Sequence, residues 1–325
     1  MSTVTPGTLI RGYRVGRCLG RGAMGEVYEA RREAIGRRVA LKILRHGTDT
    51  ALNAAKRLLE EARAVNVIHH PGIIQIFDVG LMDQRRPYLV MELLEGRSLA
   101  SMMKRGPMQL TAATSILEQM LSALDAAHRA GVVHRDLKPS NVFLVGDGVK
   151  LLDFGVARRE GREELLTAPA TTVGSIGFMA PEQLRGQTSP ASDLYALGCL
   201  AFLMFTGVPV FPARNAPENA RLHLLSAPPK LRTVRSQLSP SLETWVARLL
   251  EKSPEDRFAS AQVALDELRS HRLEPSLRRT EVVPAFVPPN PERTRPSSRF
   301  VPGTARAVPP RPPVPTVIVS GDPDP

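Results

Sequence analysis

His134-Arg135-Asp136-Leu137-Lys138-Pro139-Ser140-Asn141 is the stretch on which the reading of this chain turns. Between Asp136 and Asn141 it holds a carboxylate, an ammonium and an amide. Asp136 can orient a hydroxyl and accept its proton. Lys138, two residues on, falls on the same side of an extended segment and can neutralise a phosphate. Asn141 offers a carbonyl oxygen, a hard ligand suited to Mg2+. Asp153-Phe154-Gly155 follows, setting a second carboxylate beside a glycine that permits a hinge. Either string alone is as readily a polar surface loop, with Pro139 as a helix stop. The two in this order are hard to explain as surface decoration.

Together they resemble the catalytic core of the eukaryotic-like serine/threonine protein kinases of bacteria. The resemblance covers about residues 13–271. It implies an α+β fold of two lobes. After an N-terminal extension (1–12) come a small antiparallel β lobe with one helix (13–91), a hinge (92–95) and a larger, mainly helical lobe (96–271). A Pro-rich tail (272–325) completes the chain. The implied activity is transfer of the γ-phosphoryl group of ATP to Ser/Thr hydroxyls of proteins, in signal transduction, with autophosphorylation on the activation segment.

The other parts occur in the expected order. Tyr13 to Cys18 alternates as a strand does. Gly20-Arg21-Gly22-Ala23-Met24-Gly25-Glu26-Val27 is a GxGxxGxV string, whose glycines let backbone amides approach phosphate oxygens. A lone GxGxxG also suits a dinucleotide fold, but that fold wants a helix next, and Glu26 to Arg31 reads as a strand. Val39 to Leu44 is an apolar strand with Lys42 inside it, costly to bury unless paired. An edge lysine reaching water is the plainer account of Lys42. The resemblance instead gives it two partners, the α/β-phosphates and a glutamate of the next helix, Leu52 to Val67. Of Glu60 and Glu61, it favours Glu61. It further implies that Leu19, Gly20, Gly22, Gly25, Val27, Ala40, Met91, Glu92 and Leu94 contact ATP. Val27 would pack on the adenine, Met91 would sit behind it, and the backbone of Glu92 to Leu94 would read its edge. Asn141 and Asp153 would hold Mg2+ (or Mn2+), Asp136 would orient the hydroxyl, and Lys138 would stabilise the transferring group. Lysine two residues after the catalytic Asp fits the Ser/Thr-specific pattern.

From Asp153 to Ala180-Pro181-Glu182 the chain looks like an activation segment carrying Thr167, Thr171, Thr172 and Ser175. Arg135, directly before Asp136, would lack a dedicated anionic partner until a phosphothreonine at 167, 171 or 172 supplied one. A linker whose threonines are incidental is the plainer alternative. The resemblance implies that Asp193 bonds to catalytic-loop backbone and that Arg257 pairs with Glu182. Tyr195 stands where the family more often has Trp.

Composition sets the setting. The chain has 325 residues, 42% of them hydrophobic, and a net charge of +11. Its basic residues are scattered and aromatics are 5%, which favours a solvated surface attracting ATP or acidic substrates over nucleic-acid binding. Cys18 and Cys199 lie far apart and read as small core residues of a reducing compartment. MSTVTPGTLI has no basic region followed by an apolar core, and no run of 18 apolar residues occurs, so a cytoplasmic protein without a membrane span is expected. From Pro275 the last 51 residues hold 14 prolines, many arginines and few large apolar residues. A disordered or polyproline-like tail is expected, open to partners through its Pro/Arg stretches. Its Val314 to Ser320 stretch could add to a sheet edge. Two rival classes remain. A scaffold with a dead kinase site would have lost Lys42, Asp136, Asn141 or Asp153, and a small-molecule phosphotransferase would lack the APE segment. All of these are present.

Overall fold

The structure is a computed structural model of the chain. It describes residues 4–22, 25–44, 51–82, 86–154, 176–272 and 318–319, with the side chains of 51–54, 57, 271–272 and 318–319 set aside. Thr167, Thr171, Thr172, Ser175 and most of the tail therefore lie outside the described residues.

A six-stranded antiparallel sheet builds the N-terminal lobe, in the order β1 (Leu9–Ile10), β2 (Tyr13–Arg21), β3 (Gly25–Arg32), β4 (Arg38–Leu44), β6 (Arg86–Met91), β5 (Ile76–Met82). Helix α1 (Ala51–Asn66) crosses its inner face against β5 and β6. Leu58, Ala62 and Val65 recur at helical spacing on α1 and are all buried. Within β2 the register against β3 shifts between Val15 and Cys18. That irregularity breaks the in–out alternation, and Cys18 is exposed where the sequence suggested a core residue. Cys199 is buried, and burial pushes its thiol up to about 12, so it is inert.

Beyond Met91 the chain crosses to a mainly helical lobe. Strand β7 (Gly96–Ser98) leads into α2 (Leu99–Met103), which Ser98 caps by accepting from the Ser101 amide. With three residues, β7 is too short to show alternation in the sequence. Helix α3 (Leu110–Arg129) ends where Gly131 adopts φ +74°, a left-handed position suited to glycine. The hairpin β8 (Val142–Val145) and β9 (Gly148–Leu151) pairs with β7.

At the centre lies α5 (Pro190–Thr206), after the short α4 (Pro181–Leu184). It is apolar nearly all round and buried nearly all round, as a helix enclosed on every side must be. Pro190 opens it, and Gly207 closes it at φ +78°. Around it pack α6 (Ala216–Leu225), α7 (Leu231–Val234), α8 (Pro240–Leu249) and α9 (Ala261–Arg272). Trp245 on α8, the chain's single tryptophan, is fully buried and donates to the Ala264 carbonyl at 2.9 Å. From the tail, β10 (Ile318–Val319) pairs with β7, so part of the Val314 to Ser320 stretch does meet a sheet edge. Among the described residues no helix is long and apolar enough to cross a membrane.

Candidate functional site

The candidate site forms where the two lobes meet, and its catalytic loop is held from below by α5. Asp193, in the first turn of α5 and almost fully buried, accepts three hydrogen bonds. Its Oδ2 takes the His134 amide at 2.8 Å and His128 Nε2 at 2.8 Å, and its Oδ1 takes the Arg135 amide at 2.9 Å. Those bonds hold Arg135 at φ +66°, a conformation strained for a non-glycine residue. Arg135 takes part in further interactions besides these backbone bonds. His134 is fully buried against Phe154, their rings 4.4 Å apart, and burial lowers its pKa despite the nearby carboxylates.

Asp136 follows, buried at the base of the cleft. Its Oδ2 accepts from Lys138 Nζ at 2.7 Å and from Asn141 Nδ2 at 3.2 Å. Asn141 Nδ2 also donates to the Asp136 carbonyl at 2.9 Å. With its amide nitrogen so used, the oxygen Oδ1, which accepts a long bond from Ser140 Oγ at 3.4 Å, is the end of Asn141 that can ligate a cation. The Asn141 carbonyl accepts the Leu152 amide at 2.8 Å, which ties the loop to the residue before Asp153. Asp153 itself has φ +48°, a second strained non-glycine position.

Above the cleft, Lys42 lies opposite Val27 on β3 and Leu89 on β6. Its Nζ donates to Asp153 Oδ1 at 2.7 Å. Burial alone would lower the Lys42 pKa; the Asp153 charge and hydrogen bond outweigh that, and the pKa is raised. Burial likewise opposes ionisation of Asp153, and Lys42 overcomes it, holding that carboxyl below its usual range.

The expected Lys42–Glu61 ion pair is not formed. Among the described residues Glu61 makes no ion pair, although it lies within electrostatic reach of Lys42. Burial, with the negative charge of Asp153, pushes its carboxyl up to about 7. Two carboxylates compete for one ammonium, and the one in contact takes the charge.

The glycine-rich hairpin closes through Gly22 N to the Gly25 carbonyl at 2.8 Å. A Cβ at Gly22 would meet none of the described residues within 4 Å, whereas one at Gly25 would come 2.2 Å from the Ile43 carbonyl oxygen. Gly22 thus faces away from the described residues, and Gly25 is required by close backbone packing. Leu19 and Ala40 are buried, and Gly20 pairs with Val27 across the hairpin. In the hinge, Glu92 uses its amide on the Gln75 carbonyl at 3.0 Å. Its carboxylate holds Lys150 Nζ at 2.6 Å and the Gln75 amide at 2.8 Å. Met91 ends β6, and Leu94 is buried.

The APE segment anchors the loop from the far side. Glu182 and Arg257 form a buried two-pronged pair at 2.7 and 2.9 Å. Arg257 places its remaining donors on the carbonyls of Ala191, Lys252 and Glu251, so all five are used. Gln183 Nε2 donates to the Arg135 carbonyl at 3.0 Å. Sequence reasoning missed Gln183, His128 and Lys150. Each acts through a partner at least 48 residues away, and no local pattern marks such a pair.

Comparison with known proteins agrees with this arrangement. The family model described as protein kinase domain matches residues 13–268. The chain is 41% identical over 268 residues to the serine/threonine-protein kinase Pkn1 of Myxococcus xanthus, covering 78% of this chain and 38% of that protein. It is 35% identical over 308 residues to PknH of Mycobacterium tuberculosis, covering 91% and 49%. The chain thus spans about half the length, or less, of these curated relatives. The solved M. tuberculosis PknI kinase domain superposes with a TM-score of 0.65 at 27% identity, covering 83% of this chain and 99% of that one.

Proposed function

The chain belongs to the protein kinase family, and on that premise we propose that it transfers the γ-phosphoryl group of ATP to serine and threonine hydroxyls of protein substrates. The observation that carries the reading is the seating of Lys138 and Asn141 on the one carboxylate of Asp136, at 2.7 and 3.2 Å.

In this reading ATP lies under the glycine-rich hairpin. Leu19, Ala40 and Val27 line the adenine, and the backbone from Glu92 to Leu94 reads its edge. Lys42 orients the α/β-phosphates. The donor set suits Mg2+, which takes one or two protein oxygens and completes its shell with phosphates and water. Asn141 Oδ1 and the Asp153 carboxylate would hold it, and the ion would offset phosphate charge. Asp136 orients the substrate hydroxyl and accepts its proton. Lys138, already on that carboxylate, stabilises the equatorial oxygens of the transferring group. Most of the rate enhancement is then positioning and electrostatics. Glu61 would engage Lys42 only when Asp153 is drawn to the metal, which gives the site two charge arrangements. The 13–271 span is the unit of this activity, and phosphorylation at Thr167, Thr171 or Thr172 raises it.

The test is incorporation of labelled phosphate from γ-labelled ATP into an added protein, read against Asp136→Asn and Asp153→Ala. Both are expected to lose at least about a thousandfold in rate while keeping the wild-type melting profile. Transfer by Asp136→Asn at the wild-type rate would show that another group receives the proton.

A further inference from the structure

A second polar cluster lies in the C-terminal lobe, and the phosphotransfer chemistry above leaves it unused. It joins Tyr195 on α5, His223 on α6 and Lys252 just past α8. Tyr195 and His223 are fully buried. Lys252 Nζ donates to the His223 carbonyl at 2.8 Å and to the Tyr195 hydroxyl at 3.3 Å. Its ammonium also lies 4.7 Å from the centre of the Phe211 ring. The Tyr195 hydroxyl is 3.0 Å from His223 Nδ1. The donor inventory sets the direction of this chain. An ammonium only donates, so the phenol oxygen accepts from Lys252. The phenol proton then needs an acceptor, and among the described residues His223 Nδ1 takes that place. Burial pulls the imidazole down to about 4, so the ring is neutral at pH 7. A neutral ring that accepts at Nδ1 carries its proton on Nε2. An indole at position 195 donates only and could not receive Lys252.

Nε2 of His223 is buried and completes no hydrogen bond among the described residues. The Gly177 backbone acts on the ring so as to favour its protonated form, which a carbonyl does and an amide N–H does not. Gly177 belongs to residues 176–179, the stretch that leads into Ala180-Pro181-Glu182. That stretch is packed on both sides. Ile176 and Met179 form a separate apolar cluster with Ala220, which stands three residues before His223 on the same side of α6. On the other side, Phe178 and Met179 line one cleft with Arg135, Asp136 and Leu137. Residues 176–179 thus lie between α6 and the catalytic loop. The chain is also fastened at its far end, since the Lys252 carbonyl accepts Arg257 Nη2 at 3.1 Å beside the Glu182 anchor.

We propose that His223 is a positioning residue for the protein substrate: its Nε2–H, oriented by Tyr195 and Lys252, takes the Gly177 carbonyl and so seats residues 176–179 beside Asp136, where the acceptor chain must lie. A buried donor left open is costly, so the stretch gains by closing on it. The bond is completed when an acceptor chain presses residues 176–179 onto α6. His223 touches neither nucleotide nor the transferring group, and its effect falls on the binding of protein alone. This inference rests on the phosphotransfer reading and adds to it the means by which the substrate side of the cleft is set.

The experiment is steady-state transfer by the full chain to dephosphorylated casein. His223→Phe is expected to raise KM for casein about fivefold, the worth of one hydrogen bond, with kcat and KM for ATP within about twofold of wild type. His223→Gln, whose Nε2 stands in for that of the ring, should stay within about twofold throughout. A general packing defect would move kcat and KM for ATP as well, and glutamine would not rescue it. Should His223→Phe melt below the assay temperature, Tyr195→Phe decides, with a rise in casein KM of about threefold expected. Long-range proton–nitrogen spectra of the wild-type protein labelled at histidine nitrogen test the chain without any variant in the assay, His223 being assigned by its loss in His223→Gln. The ring should carry its proton on Nε2 at pH 7. A proton on Nδ1, or on both nitrogens, overturns the proposal. So does an unaltered casein KM in His223→Phe or Tyr195→Phe while the wild type transfers phosphate. Absence of transfer by the wild type sinks the phosphotransfer reading, and this inference with it.

Discussion

Gln183 joins two parts of the site that are 48 residues apart: its Nε2 donates to the Arg135 carbonyl at 3.0 Å, while its Oε1 accepts the Ala180 amide at 3.0 Å. One side-chain amide thus caps α4 and holds the residue before Asp136. Asp193 holds the same residue from its amide side. The strained backbone at Arg135 is clamped at both ends.

Gln183→Ala should therefore cost about 1–2 kcal/mol of stability, two part-buried hydrogen bonds. The rate of transfer should fall severalfold with little change in KM for ATP, since the clamp acts on the Asp136 side of the cleft. Gln183→Glu keeps the Ala180 bond but loses the donor to Arg135. It should restore melting temperature more than rate.

Glu61 gives a pH signature. Its carboxyl is near neutral in the fold, with a pKa of about 7, against an ordinary value of 4.5. The folded state then binds the extra proton between those values. Glu61's contribution is intact below pH 4.5 and is lost as pH rises toward 7. In Glu61→Gln that fall in stability should disappear, and the variant should be the more stable protein at pH 8, by on the order of 1–3 kcal/mol. If Glu61 engages Lys42 during turnover, the same variant should lose about tenfold in kcat/KM for ATP, a trade of activity for stability. Urea unfolding at a series of pH values, paired with steady-state kinetics, checks both halves.

The Glu182–Arg257 pair has the opposite sign. Burial opposes ionisation of Glu182, but Arg257 overcomes it and holds the carboxyl below 4.5. The stability this contributes is present above pH 4.5 and lost as pH falls through the lowered value. Arg257→Lys should cost about 3 kcal/mol, because an ammonium cannot fill five fixed donor positions. Thermal melts at pH 7 and pH 4 should differ less in Glu182→Gln than in the parent.

At Gly25, alanine would bring its Cβ to 2.2 Å from the Ile43 carbonyl. The hairpin must shift off β4, at a cost of about 1–3 kcal/mol. KM for ATP should rise several-fold. Gly22→Ala, whose new methyl meets none of the described residues, should leave stability within about 1 kcal/mol.

Phosphatase treatment of the purified protein should lower its activity toward an added substrate, and Thr→Ala at 167, 171 and 172 together should reproduce that lower rate. Mass spectrometry of the untreated protein should find phosphate on Thr171 or Thr172. Equal activity before and after treatment would remove these threonines from regulation.

The catalytic strings were legible because their members are close in sequence. Asp136, Lys138 and Asn141 lie within six positions, and the structure gathers them on one carboxylate. The first long helix was legible too, with α1 lying within a residue of the Leu52 to Val67 pattern. What the sequence could not give is distance. Glu61 and Asp153 are both acids within reach of Lys42, and only the fold decides which one touches it. The exposure of Cys18 follows from a register shift that leaves no compositional trace. Lys150 on Glu92 joins residues 58 apart, and nothing local to either residue announces it.

Trp245 makes the two lobes optically unequal. It is the chain's single indole, sealed in the C-terminal lobe with its N–H on Ala264. Its emission therefore follows that lobe alone, while tyrosines on β2, β3 and β6 remain dark at selective excitation. Far-ultraviolet ellipticity sees strands and helices together. A denaturation followed in both channels thus separates cooperative from sequential melting without any label. Coincident curves mean that the lobes unfold as one unit; an emission change that lags the ellipticity means that the sheet lets go first.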